Sequence, residues 1–331
     1  MPARISSLKS LCLVASLLGT LVAQQAAPSP APQACPPGND PTELNLPDVK
    51  SCAPAPQQAE LDLPLTTDPR EIVRRSVEID HRTLELARNY TCQNREVIHH
   101  LGKNGQIKST ETKTYDINFY YGEEYNRLVQ KDDKPLSEAE QKKEDEKLDK
   151  FLAKYRDESP EDREKRLEKE RKQREEGRAF LRDVVNAYDF RLVGEERVDG
   201  VDSYVIDATP RPDFKSTQPH ADMLKKIKGR MWIEKKNYNW VKVEAQATDT
   251  ISFGLFLFRI HPGSHFVLEK TLVKNEVWLL KRLDIDGGAR IALFKNENIR
   301  QEDVFSKYQK FVTSVKVLPD VKEVPAPPES K

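Results

Sequence analysis

Apolar residues recur along this chain first at helical spacing and then at every second position. In "DPREIVRRSVEIDHRTLELARNY", Ile72, Val73, Val77 and Leu84 fall on one face of a helix. Asp68 before Pro69, with Glu71 behind them, is a helix-start signal: the carboxylate accepts free N–H groups, and proline has none to leave unpaired. Period two follows in "YTCQNREVIHHLG" and "QIKSTETKTYDINFYYG", two strands joined through "KNG", where Asn104-Gly105 signals a tight turn. A third strand, "EYNRLVQ", leads to "DDKPLSEAE".

Between Ser137 and Arg178 charges of both signs dominate, as on solvated helix faces. Ser159 and Pro160 in "ESPEDREK" start a second helix there. The first of these helices has few apolar anchors beyond Leu148, Phe151, Leu152 and Tyr155. The second gains an apolar stripe only at Phe180, Val184 and Tyr188. This predicts a charged helical hairpin, inserted over 137–178, that projects from the domain and rejoins its core at the end. Two uses fit it: a solvated spacer, or an arm that docks a protein partner.

After Asp189 the period is two to the end. "FRLVGEERVDG" and "VDSYVIDATP" form a hairpin about Val198–Gly200, and a short helix, "PHADMLKKI", precedes "GRMWIEKKN" and "WVKVEAQATDTISFG". Then come "LFLFRIH", "HFVLEKTLV", "EVWLLKRLDID", "ARIALF" and a last strand near "FSKYQKFVTSVKV", an antiparallel meander. In the strand from Trp240, Val241, Val243, Ala245, Ala247, Ile251 and Phe253 share one parity, and Lys242, Glu244 and Gln246 the other. At "ISFGLFLFRI" both parities turn apolar. "VWLLKRLDI" does the same, with Val277, Leu279, Leu283 and Ile285 on one face and Trp278 and Leu280 on the other. A sheet apolar on both faces over part of its area needs cover on two sides: helices on one, and curvature, a second layer or a ligand on the other.

The formal net charge is +0 in 331 residues, which argues against binding nucleic acid through phosphate neutralisation. The N-terminus reads as an export signal over 1–23: Arg4 and Lys9, the apolar run "LCLVASLLGTLVA", and cleavage after Ala23. The mature chain then resides in the periplasm. Residues 24–67 form a Pro/Ala-rich leader expected to be disordered, as is the tail 318–331. The domain itself is expected over 68–317. Loss of Cys12 with the signal leaves Cys35, Cys52 and Cys92. These allow one bridge and one leftover thiol, and Cys35 with Cys52 is the favoured pair because both lie in the leader.

Catalytic motifs are missing. There is no Gly-rich phosphate loop, no G-x-S-x-G and no H-E-x-x-H. His261 and His265 in "HPGSH" could meet across a turn, but no carboxylate or thiol lies near them in sequence, so no metal site and no cofactor is expected. The reading is of a protein that is not an enzyme.

The run "GRMWIEKKNYNWVKVEAQATDTISFGLFLFRIHPGSHFVLEKTLVKNEVWLLKR", preceded by "VDGVDSYVIDATPRP", resembles the sheet of LolA-like outer-membrane lipoprotein-sorting proteins, relatives of RseB-type envelope sensors. The shared features are a strand ending in proline, a "W-I-E" strand and a following strand with one apolar side; the helix at Glu71–Tyr90 matches the family's opening. The resemblance implies an α+β fold, a curved antiparallel half-barrel with helices over its concave face. It implies acyl chains, a lipid or a lipoprotein as the partner. The cavity would be lined by Val243, Phe253, Leu255 and Leu257, with Ile233, Leu268 and Leu279 beside them. The alternative is a regulatory module whose charged hairpin docks an envelope protein.

Overall fold

The computed structural model describes residues 66–218, 220–253, 258–291 and 295–311. Helix α1 (Pro69–Ala87) starts as its sequence dictates: Asp68 accepts the Arg70 N–H at 3.0 Å, and Pro69 occupies the first turn. Strands β1 (Tyr90–Leu101), β2 (Ile107–Tyr120), β3 (Glu123–Lys131) and β4 (Lys134–Pro135) follow. Next come helices α2 (Glu138–Arg156) and α3 (Pro160–Ala187). Ser137 and Glu140 form a reciprocal capping box on α2, and Ser159 accepts the Asp162 N–H at 3.1 Å on α3. Strands β5 (Tyr188–Val198) and β6 (Val201–Pro210) turn through Asp199 and Gly200, both at positive φ, as a two-residue hairpin requires.

A 3₁₀ turn (Ala221–Lys226) leads to β7 (Ile227–Glu234) and β8 (Trp240–Ala247). Then come β9 (Ile251–Phe253), β10 (Phe258–Ile260), β11 (His265–Val273), β12 (Val277–Ile291) and β13 (Lys295–Lys310). All thirteen strands among the described residues lie in one open, curved antiparallel sheet, an α+β half-barrel. Its main order is β4-β3-β2-β1-β13-β12-β11-β8-β7-β6-β5, with β9 and β10 attached beside β12.

This order gives the charged segment a structural task. The chain leaves the sheet at one edge, β4, and re-enters at the other, β5. Eleven strands at about 4.8 Å spacing put those edges roughly 48 Å apart along the sheet. Helix α3, with 28 residues, is about 42 Å long at 1.5 Å per residue. The helical pair is the crossover between the edges. It is also anchored where a projecting arm would be free. Phe151 packs against Tyr125 at 4.8 Å and Tyr155 at 4.9 Å between ring centroids, with Tyr120 beside them. Arg166, 17% exposed, bonds Glu158 and Glu170 and approaches Glu123 of β3. At the far end Leu181 and Ala187 are buried.

Two departures from the period-two reading have local causes. "EVWLLKRLDID" and "ARI" form one strand, β12, because Gly287 and Gly288 are not a turn. A side chain on Gly287 would meet Ser264, and one on Gly288 would come within 2.7 Å of the Asn298 side chain. The glycines let the His261–Ser264 turn lie close on a continuous strand. The last strand starts earlier than expected, at Lys295, because its polar residues pair in register with both β12 and β1.

Candidate ligand-binding face

The pairing register threads one row of side chains across the whole sheet. From β5 inward it runs Leu192, Ile206, Met231, Val243, Leu268, Leu283, and then Asp303, Glu96 and Lys113. Residues opposite each other in a pleated sheet share a face, so the row is apolar for six strands and then ionisable.

Helix α1 lies on the first half. Ile72, Val73 and Val77 pack against Tyr204, Ile206, Met231 and Ile233, with Leu181 of α3 joining them. Burial of three such side chains stabilises the helix on the sheet by about 1.5–3 kcal/mol each. Two polar ties add direction. The Trp240 Nε1–H donates to Ser76 Oγ at 2.8 Å, and Ser76 Oγ donates to the Val73 carbonyl. Lys270 of β11 pairs with Asp80 of α1, both nearly inaccessible, and its ammonium lies 5.5 Å from the centre of the Trp240 ring. The second half of the row, Leu268 and Leu283, belongs to a cluster with Phe266, Ile285 and Met223, against which Phe180 of α3 packs.

The expected cavity residues are thus distributed as follows. Val243 and Leu268 are paired neighbours on the row, and Val243 touches both clusters. Ile233 is 0% exposed, packed in the cluster under α1. Leu279 lies elsewhere, with Tyr90 and Val277. The reason is a bulge: Glu269 pairs with Arg282 but Lys270 with Leu280, so Lys281 is an extra residue and parity shifts along β12. Leu280, not Leu279, packs with the Leu283 cluster. A second bulge at Val241 does the same on β8, where Trp232 pairs with Lys242 and Ile233 with Trp240. Val241 accordingly packs with Val205, Trp232 and Trp278, apart from Val243 and Ala245. Phe253 ends β9, but its side chain, like Leu255 and Leu257 entirely, lies outside the described residues, as do Cys35 and Cys52.

The polar end of the row had no signal in the sequence. Glu96 and Asp303, 5% and 4% exposed, face each other across β1 and β13. Gln301 donates to Asp303 at 2.6 Å and to Glu96 at 3.5 Å, and Asn94 donates to Asp303 at 3.1 Å. Burial pushes the Glu96 carboxyl up to about 7, the Asp303 charge adds to this, and Lys113 opposes it. Burial likewise raises Asp303. "NREV" and "QEDV" read as solvent-facing strands, and only the register shows that their acids meet.

Other candidates carry less. Cys92 is a partly buried free thiol, pushed up to about 12 chiefly by burial. His261 and His265 flank a turn in which the His261 N–H donates to the Gly288 carbonyl at 2.9 Å. Among the described residues no group of three or more His, Cys, Asp or Glu side chains is placed to hold a metal ion, and no helix is long and apolar enough to cross a membrane.

No family model and no curated protein matches the sequence. Solved structures are similar. A DUF1329 family protein from Desulfovibrio piger is 11% identical, covering 77% of this chain and 96% of its own, at a TM-score of 0.30. A putative outer membrane lipoprotein-sorting protein domain from Vibrio parahaemolyticus is 12% identical over 75% of this chain and 95% of its own, TM-score 0.30. A LolA superfamily protein from Nitrosomonas europaea is 10% identical over 77% and 99%, TM-score 0.25. A lipoprotein-sorting protein domain and a LolA superfamily protein are thus among the structures to which this chain is similar. At these identities and scores the likeness says nothing of what this chain binds.

Proposed function

We propose that the chain is a non-catalytic binding protein of the periplasm, which holds a lipid or the acyl part of a lipidated protein against the apolar row of its sheet. The observation that carries this reading is the row itself: six consecutive strands present Leu192, Ile206, Met231, Val243, Leu268 and Leu283 on one face. That strip is about 24 Å long at 4.8 Å per strand. Each methylene buried there contributes about 0.8 kcal/mol, so an acyl chain needs no polar anchor. Its present cover is α1 and Phe180, and a ligand enters as that cover shifts. Phe253, Leu255 and Leu257 are proposed to line the entrance.

Leu255→Asp tests it. At a ligand-lined entrance the carboxylate stays partly hydrated, so the variant folds and loses co-purified lipid and fluorescent fatty-acid binding. In closed core an unpaired carboxylate costs several kcal/mol, and the variant unfolds. A second reading, a regulatory module that docks an envelope protein, rests on the anchored hairpin: Arg166 and Phe151 hold α2 and α3 in place while most of their charges stay exposed. Charge reversal along the exposed face of α3 that abolishes activity in cells but leaves bound lipid intact would favour it.

A further inference from the structure

Among the described residues the edge at β5 is open: no strand lies on its outer side. The Ala187 carbonyl accepts the Arg211 N–H at 2.8 Å, so the strand alternation turns the N–H and C=O of Asp189 and Arg191 toward β6 as well. Those of Tyr188, Phe190 and Leu192 point out of the sheet. A bulge at Val193, which pairs with nothing on β6, ends this regular stretch at Leu192. Arg70 of α1 donates to the Val185 carbonyl at 2.9 Å and to the Tyr188 carbonyl at 3.3 Å. The first turn of α1 is thereby pinned beside the start of β5.

The residues just before Thr66 read Leu61-Asp62-Leu63-Pro64-Leu65, apolar at every second position. We propose that Leu61–Leu65 adds an antiparallel strand to the open edge of β5, with Leu63 opposite Phe190 and Leu61 opposite Leu192. The direction follows from the ends: β5 runs away from Tyr188 while the leader runs toward it. In this register Leu61 and Leu63 extend the face on which Phe190 and Leu192 pack with the α1 cluster. Asp62 stands opposite Arg191, whose side chain is 73% exposed. Pro64 falls where its nitrogen points to solvent, so its missing N–H leaves no gap, and proline on an outer strand discourages further pairing. It also holds Leu63 extended. The L-x-L-P pattern recurs at Leu44–Pro47, but Asp48 stands there in place of Leu65, and the adjoining copy is the one that fits.

Amide hydrogen exchange of the full chain tests the assignment, with a built-in control. The amides of Asp189 and Arg191 bond β6 and stay protected in every folded variant. Those of Phe190 and Leu192 should be slowed at least ~10-fold in the wild type and in Asp62→Pro, whose new proline faces outward. Leu63→Pro removes an inward N–H and should return both to the unprotected rate. Three results would each overturn the proposal: unprotected Phe190 and Leu192 amides in the wild type, protection that survives Leu63→Pro, or protection that grows with protein concentration, the sign of a second copy on the edge.

Discussion

Replacement of Glu96 by Gln should stabilise the protein above neutral pH and leave it almost unchanged in acid. The Glu96 carboxyl is 5% exposed, faces Asp303 and is pushed up to about 7 from an ordinary value of 4.5. A carboxyl whose folded value is raised binds a proton more readily folded than unfolded. It therefore costs nothing below about pH 4.5, destabilises increasingly as pH rises toward 7, and exerts its full effect above that. A rise from 4.5 to about 7 corresponds to about 3 kcal/mol at pH 8. Gln keeps the shape and an acceptor for the Gln301 side chain while removing the charge. For a domain of this size 1 kcal/mol moves Tm by about 2–4 °C, so Glu96→Gln should melt about 6–12 °C higher at pH 8. At pH 4.5 the two should agree closely. The wild type serves as reference at each pH, so the raised Asp303 carboxyl is present on both sides of the comparison. Thermal melts monitored by circular dichroism at four pH values between 4.5 and 8 suffice. Equal midpoints for wild type and variant at pH 8 would refute the reasoning, since Glu96 would then be hydrated or paired with a cation.

Lys270→Met should cost about 3–5 kcal/mol by leaving Asp80 buried without its partner, and adding Asp80→Leu should restore much of it; urea titrations of both variants check this. Phe151→Ala, measured the same way, should cost about 1–3 kcal/mol, because the ring is only half-buried between Tyr125 and Tyr155. Exchange of Ser137–Arg178 for a three-residue Gly/Ser linker should abolish folding: Phe180 packs beside Leu283 of β12, five strand spacings or about 24 Å along the sheet from β4, and three residues span at most about 11 Å; a linker variant with a native circular dichroism spectrum and a cooperative melt would contradict the crossover.

The elements themselves were legible in the sequence because their signals are local. Asp68-Pro69, Ser159-Pro160 and Asp199-Gly200 each fix a start or a turn through groups a few residues apart. What parity alone could not supply was the register. The bulges at Val241 and Lys281 place Trp240 and Leu280, instead of Val241 and Leu279, with the clusters on the row, and a bulge leaves no composition mark. The meeting of Glu96 with Asp303 spans more than two hundred residues and depends on β13 pairing with β1. The crossover role of α2 and α3 was hidden for the same reason: it is a property of strand order, and their charge reads identically on a spacer. Phe151 and Tyr155 stand out as apolar anchors, but their partners Tyr120 and Tyr125 lie in other elements, β2 and β3.

Binding of acyl chains by the apolar row is measured most directly by native mass spectrometry of the protein as purified. The wild type should carry an adduct of lipid mass that organic extraction releases, and the emptied protein should rebind a fluorescent fatty acid. A wild type that carries no lipid and takes up no fatty acid would contradict it.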